Sequence, residues 1–139
     1  MVRRASILLA AVAAVTVAGC SDTTASTGAE ALVGVYILQT VDGQPLPAIV
    51  DQSGADMLEV VSGSVSLHTG LTFDDTTVLR FTISGEVSTE TDAATGNFTL
   101  SGRTVQFTPS DNSGVYTMTW DGQDELTQDF NGLILVYKR

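Results

Sequence analysis

From Ala31 onward the chain is cut at short, regular intervals by pairs of a small or Asx residue and glycine: Asp42-Gly43, Ser62-Gly63, Ser84-Gly85, Ser101-Gly102, Ser113-Gly114, Asp121-Gly122 and Asn131-Gly132. Tight turns between antiparallel strands need positive φ, which such pairs supply without steric cost. The segments between them alternate. Leu79, Phe81 and Ile83 share one parity, Phe98 and Leu100 another, then Val105 and Phe107, then Tyr116, Met118 and Trp120, then Leu126, Gln128 and Phe130; mostly Thr, Asn, Gln or charged residues fill the places between. A period of two with one apolar face predicts antiparallel sheet that is wetted on the other face. The last segment is apolar on both faces, and Leu133, Leu135 and Tyr137 are its expected inward set. Only Ala48 to Glu59 has room for a short helical turn. About eight strands fit into residues 31–139, a spacing typical of a barrel or sandwich. Short consecutive turns favour up-and-down order, and closing the sheet removes exposed edges. The expected fold is all-β: an antiparallel, up-and-down barrel of about eight strands.

The N-terminus is of another kind. Arg3 and Arg4 precede an apolar stretch from Ala5 to Gly19 broken only by Ser6 and Thr16. That is shorter than the roughly 20 residues a membrane-spanning helix needs. A charged start, a short apolar core and small residues at the end describe a cleaved secretory signal over residues 1–19. Its end, Val17-Ala18-Gly19-Cys20, resembles the lipobox of bacterial lipoproteins. That resemblance implies diacylglycerol on the Cys20 thiol, cleavage before it, and acylation of the new amine. Cys20 is the sole cysteine, so it has no intramolecular disulfide partner, and lipidation accounts for a lone thiol in an exported protein. Two or more acyl chains anchor a protein stably. In the same family Asp directly after the cysteine retains the protein in the inner membrane. Here Ser21 stands there, so the expected location is the cell envelope, with the outer membrane favoured. Residues 20–30, the lipidated cysteine and SDTTASTGAE, hold almost nothing to bury and read as a flexible tether.

Beyond the signal, four basic residues face 16 acidic ones, a formal charge of −12. Such a surface repels nucleic acid and anionic headgroups. The expected attachment to the membrane is through the lipid alone.

Within the domain, Gly34-Val35-Tyr36-Ile37-Leu38 followed by Val41-Asp42-Gly43-Gln44-Pro45-Leu46-Pro47 resembles the opening of lipocalin-like domains in small bacterial lipoproteins. Residues 96–105 and the closing Leu133 to Arg139 fit the same pattern of strands. The resemblance implies a lipocalin-like barrel whose interior holds an apolar ligand. Tyr36 stands where lipocalins proper carry Trp, and Lys138 or Arg139 is the candidate for the basic residue that packs across that ring. The chain is shorter than a lipocalin, and a barrel of short strands can instead be filled by its own side chains.

Signals for catalysis or cofactors are few. His68 is the sole histidine and, with no cysteine to spare, it excludes the usual zinc sets. No nucleophile elbow, phosphate loop or dinucleotide fingerprint is present. The pairs Asp74-Asp75 and Asp124-Glu125 lack calcium-loop spacing and read as solvated turn charges. The expected protein is not an enzyme, and no cofactor or metal is expected. The candidate ligand pocket or core comprises Tyr36, Leu79, Phe81, Phe98, Phe107, Tyr116, Met118, Trp120, Leu126 and Phe130. Two functions stay open: binding of a small apolar ligand in an open interior, or an envelope adaptor or inhibitor that works through protein–protein contacts around a filled core.

Overall fold

The computed structural model describes residues 27–139. Signal residues 1–19 and Cys20 lie outside the described residues. Ten strands form one antiparallel sheet: β1 (Gly34–Val41), β2 (Gln44–Pro45), β3 (Ala48–Ser53), β4 (Asp56–His68), β5 (Thr72–Ile83), β6 (Glu86–Ser101), β7 (Thr104–Pro109), β8 (Tyr116–Trp120), β9 (Glu125–Phe130) and β10 (Leu133–Lys138). From β4 to β10 each strand pairs with the next, and β1 pairs with both β10 and β4. Eight strands therefore close into a barrel with up-and-down neighbouring order, consistent with a lipocalin-like fold. The remaining two are accessory: β2 folds back on the end of β1, and β3 runs beside the first half of β4.

The turn chemistry explains most of this order. At Ser84-Gly85 and Asn131-Gly132 both residues have positive φ (52° and 83°, 54° and 91°), the pattern of two-residue hairpin turns that match strand twist. Two readings change. Ala48 to Glu59 forms no helical turn: Ile49 and Val50 suit a strand, and Gly54 (φ 64°) reverses the chain, so the stretch is β3 and the start of β4. Ser62-Gly63 is not a turn either. β4 runs through it with a register shift between Val60 and Ser62, and a Cβ on Gly63 would stand 3.1 Å from Leu38 Cδ2. Glycine is used there for close approach to the Leu38 side chain on the neighbouring strand β1.

The described residues also include the end of the expected tether. Thr27–Glu30 form a helical turn, α1, with Ala29 buried and Gly28 beside Leu100. Leu32 follows, fully buried. Among the described residues before β1, Ala29 and Leu32 are the buried apolar ones, too sparse a pattern to stand out from the polar run before them.

The interior is asymmetric along the barrel axis. At the end that carries α1 and the β8–β9 loop it is filled. Tyr36, Phe98, Phe107, Met118 and Leu126 are all buried there, with at most 1% of each exposed. Tyr36 donates its hydroxyl proton to Leu32 O at 3.0 Å, and the Arg139 guanidinium lies 5.5 Å from its ring centroid. Arg139 also donates to Ala31 O (2.9 Å), Val33 O (3.1 Å) and Gln123 O (2.9 Å). One side chain thus ties together the start of the domain, the β8–β9 loop and the ring on β1. Of the two basic candidates it is Arg139 that covers Tyr36, while Lys138 pairs with Glu125 at 3.3 Å.

Candidate functional site

The opposite end of the barrel is open. A cavity of about 580 Å³ lies between β4, β5, β6, β8, β9 and β10. Its floor is formed by Tyr116, whose ring stacks on the buried Phe107 at 4.9 Å between centroids and 6° between planes. Phe73 meets both rings edge-on, at 5.0 Å and 6.2 Å. These three rings separate the filled half from the open half. Above them the wall is apolar, with Val60 and Leu79 on one side and Leu135 on the other; Phe130 and Val115 stand at the mouth. A volume of this order with a mainly apolar wall and a few polar groups is the form of a small-molecule pocket.

The polar group nearest the floor is Asp75. Asp75 belongs to the inward face of β5, in the series Phe73, Asp75, Thr77, Leu79 that pairs with Leu67, Val65, Gly63 and Val60. Tyr116 donates its hydroxyl proton to Asp75 Oδ2 at 2.8 Å. The other oxygen, Oδ1, is shielded from water and has no hydrogen-bond partner. Burial pushes the Asp75 carboxyl above the usual range; the Tyr116 bond and the Thr76 backbone N–H oppose this and the charge of Asp92 adds to it. Burial likewise pushes the hydroxyls of Tyr116 and Tyr137 up, and in both the charge of Asp75 reinforces the effect. Asp92 and Asp111 also line the cavity, and among the described residues no Lys, Arg or His does. These carboxylates do not converge: among the described residues no group of three or more His, Cys, Asp or Glu has the geometry to hold a metal ion.

Of the residues expected in the interior, Leu79, Tyr116 and Phe130 line this cavity. Tyr36, Phe98, Phe107, Met118 and Leu126 belong to the filled half. Phe130 points toward the interior face but is 56% exposed, because it sits at the mouth. Trp120 is half-buried at the closed end, with Nε1–H donating to Gln123 O at 3.3 Å, so it is no part of the pocket wall. Phe81 is half-buried beside Leu58 and Ser88, where the β5–β6 hairpin overshoots the barrel, and does not line the cavity.

Asp75 was expected as a solvated turn charge, and the structure places it inside. The signal was present: Asp75 shares the parity of Leu79 and Phe81, whereas Asp74 does not. Asp74 is the solvated one, 2.5 Å from His68 Nε2 on the outer surface. Asp121 in the β8–β9 loop accepts backbone N–H bonds from Gln123 and Glu125, which fixes the turn and leaves its charge at the surface. Compared with known protein families, with curated proteins and with solved structures, the chain matches none.

Proposed function

We propose that this chain is a bacterial envelope lipoprotein, held to the membrane by lipid on Cys20, whose barrel binds a small apolar ligand without catalysing a reaction. The observation that carries the binding reading is the cavity at the open end: about 580 Å³, apolar walls, and an aromatic floor that does not collapse into it. The anchor reading rests on Val17-Ala18-Gly19-Cys20 after a short apolar core. A tether over residues 20–30 would hold the barrel close to the membrane surface. The strongly acidic chain gives no surface for nucleic acid.

Ligand binding is tested with Nile red, a neutral apolar dye, and the full chain carrying Cys20→Ala, which takes no lipid. The expected result is saturable, blue-shifted emission. Ala94→Trp in the same background places a large ring in the cavity beside Asp75 and should weaken dye binding at least tenfold while the far-UV dichroism stays that of a sheet. Equal binding by both chains would show that the dye sits elsewhere.

The anchor is tested in cells by metabolic labelling with a clickable fatty acid. The wild-type chain should incorporate label and fractionate with the outer membrane of a two-membrane host. Cys20→Ala should incorporate none and lose the membrane association. Equal labelling of the two would refute lipidation at Cys20.

A further inference from the structure

The cavity has a chemical polarity that an open apolar barrel does not require. Its acidic wall residues are three aspartates, Asp75, Asp92 and Asp111, with no cationic side chain among the described lining residues. Asp75 is the deepest of them by position. It pairs across the sheet with Val65 and Ala94 and shares its hydrogen bond with Tyr116, the ring stacked on the floor. One of its oxygens is satisfied and the other is buried without a partner. A buried carboxylate oxygen left unpaired is costly, and proteins normally satisfy such an atom or use it. The groups around it offer no cation: Val65, Thr77 and Ala94 are neutral, Tyr116 already donates to Oδ2, and Asp92 carries the same charge.

We infer that the cavity selects amphiphiles with a protonated amine head, taken head-first so that the ammonium meets Asp75 and the apolar tail lies along Leu79 and Leu135 toward the mouth. An ammonium brings both things the floor lacks, a positive charge and several N–H donors. Charge-assisted bonds in a site screened from water are stronger than neutral ones. The carboxyl torsion of Asp is broad, so Oδ1 can turn toward an arriving donor, and the rotatable Tyr116 hydroxyl follows Oδ2 as it moves. A fatty acid entering the same way puts a second carboxylate against Asp75 with nothing to neutralise either, and like charges so placed repel. The side chains at the mouth act in the same sense. Asp92 and Asp111 attract a cation approaching from solvent and repel an anion, and the net charge of −12 after the signal extends that bias over the whole domain.

The inference rests on the binding reading above, and the two fail differently. The experiment displaces Nile red from the full Cys20→Ala chain at pH 7 with three twelve-carbon competitors: dodecylamine, 1-dodecanol and laurate. Dodecylamine should displace the dye at a concentration at least tenfold below laurate, with dodecanol between them. In Asp75→Asn, which keeps the side-chain shape and removes the charge, Nile red should still bind, and the amine-to-laurate ratio should shrink to within threefold. Tyr116→Phe, which removes the hydroxyl and leaves the carboxylate, should keep the preference for amine. Laurate displacing as well as the amine, a preference unchanged in Asp75→Asn, or a preference lost in Tyr116→Phe would each overturn the head-group inference while leaving the pocket in place. Nile red binding that is unsaturable, or indifferent to Ala94→Trp, would overturn the pocket reading and the inference with it.

Discussion

Phe107→Ala is expected to lower the unfolding free energy of the domain by about 3–5 kcal/mol, the usual cost of emptying a fully buried aromatic position. Phe107 has no exposed surface. It pairs across the sheet with Phe98 on β6 and Tyr116 on β8, and its ring touches three others: Tyr116 stacked at 4.9 Å, Phe73 edge-on at 5.0 Å and Phe98 tilted at 6.4 Å. Neighbours fixed on three different strands of a closed barrel have little freedom to fill the gap, so most of the cavity term is retained. The loss would also breach the floor and join the open cavity to the space beside Met118. Two comparisons sharpen the expectation. Phe130→Ala removes the same ring from a position 56% exposed at the mouth and should cost well under half as much. Trp120→Ala removes a larger ring, but one that is half-buried, and should fall between the two. Urea unfolding followed by far-UV dichroism measures all three. A Phe107→Ala loss no greater than that of Phe130→Ala would mean that the aromatic floor is not a rigid partition.

The contrast between these positions shows where sequence reasoning succeeded and where it ran out. Alternation identifies inward faces well, because a strand has only two. Tyr116, Met118 and Trp120 do share the inward face of β8, and Leu133, Leu135 and Tyr137 that of β10. Alternation says nothing of height along the barrel axis. Tyr116 and Trp120 lie four residues apart, about 13 Å along an extended strand. One therefore forms the cavity floor and the other closes the far end. Height depends on register with seven other strands, and a bulge such as the one between Val60 and Ser62 shifts register without any composition signal. Strand length has the same effect. β5 and β6 run 12 and 16 residues, longer than their hydrophobic pattern needs, so Ile83 and Phe81 follow the inward parity into an overshooting hairpin that is exposed or only half-buried. Asp75 fails for a different reason: an acidic pair reads as surface by composition, and only strand parity separates Asp74 from Asp75.

The filled and open halves are therefore two answers to one question about the interior. The sequence posed them as alternatives, a ligand cavity or a side-chain core. The barrel contains both, divided at the Phe107–Tyr116 stack. A filled half supplies stability to a domain of modest size. That permits the other half to stay open and to keep a carboxylate in a position that burial penalises.

The same burial makes the domain's failure at high pH steep. Its three tyrosines, Tyr36, Tyr116 and Tyr137, are the only ones in the chain. All three hydroxyls are pushed above the ordinary value of 10.0 by burial first; Asp75 adds to this for Tyr116 and Tyr137, and Arg139 opposes it for Tyr36. A raised folded-state value means that the folded chain keeps protons which the unfolded chain has lost. The stabilisation is thus fully present below about pH 10 and is lost as pH rises above it. Each such tyrosine lowers stability by about 1.4 kcal/mol per pH unit over its window. Tyr116 and Tyr137 together remove about 3 kcal/mol per unit, and Tyr36 adds to this over its own range. A domain at the lower end of ordinary stability, about 5 kcal/mol, then unfolds within about two pH units above 10. Absorbance at 295 nm should show almost no tyrosinate until that point, then all three ionising together as the far-UV dichroism collapses. Tyr116→Phe takes one proton out of the transition, so its dependence on pH should become shallower, with Tyr137 and Tyr36 still ionising only on unfolding. Tyrosinate appearing gradually from pH 10 with the dichroism intact would place these hydroxyls in solvent and contradict the closed, water-excluding floor on which the pocket is built.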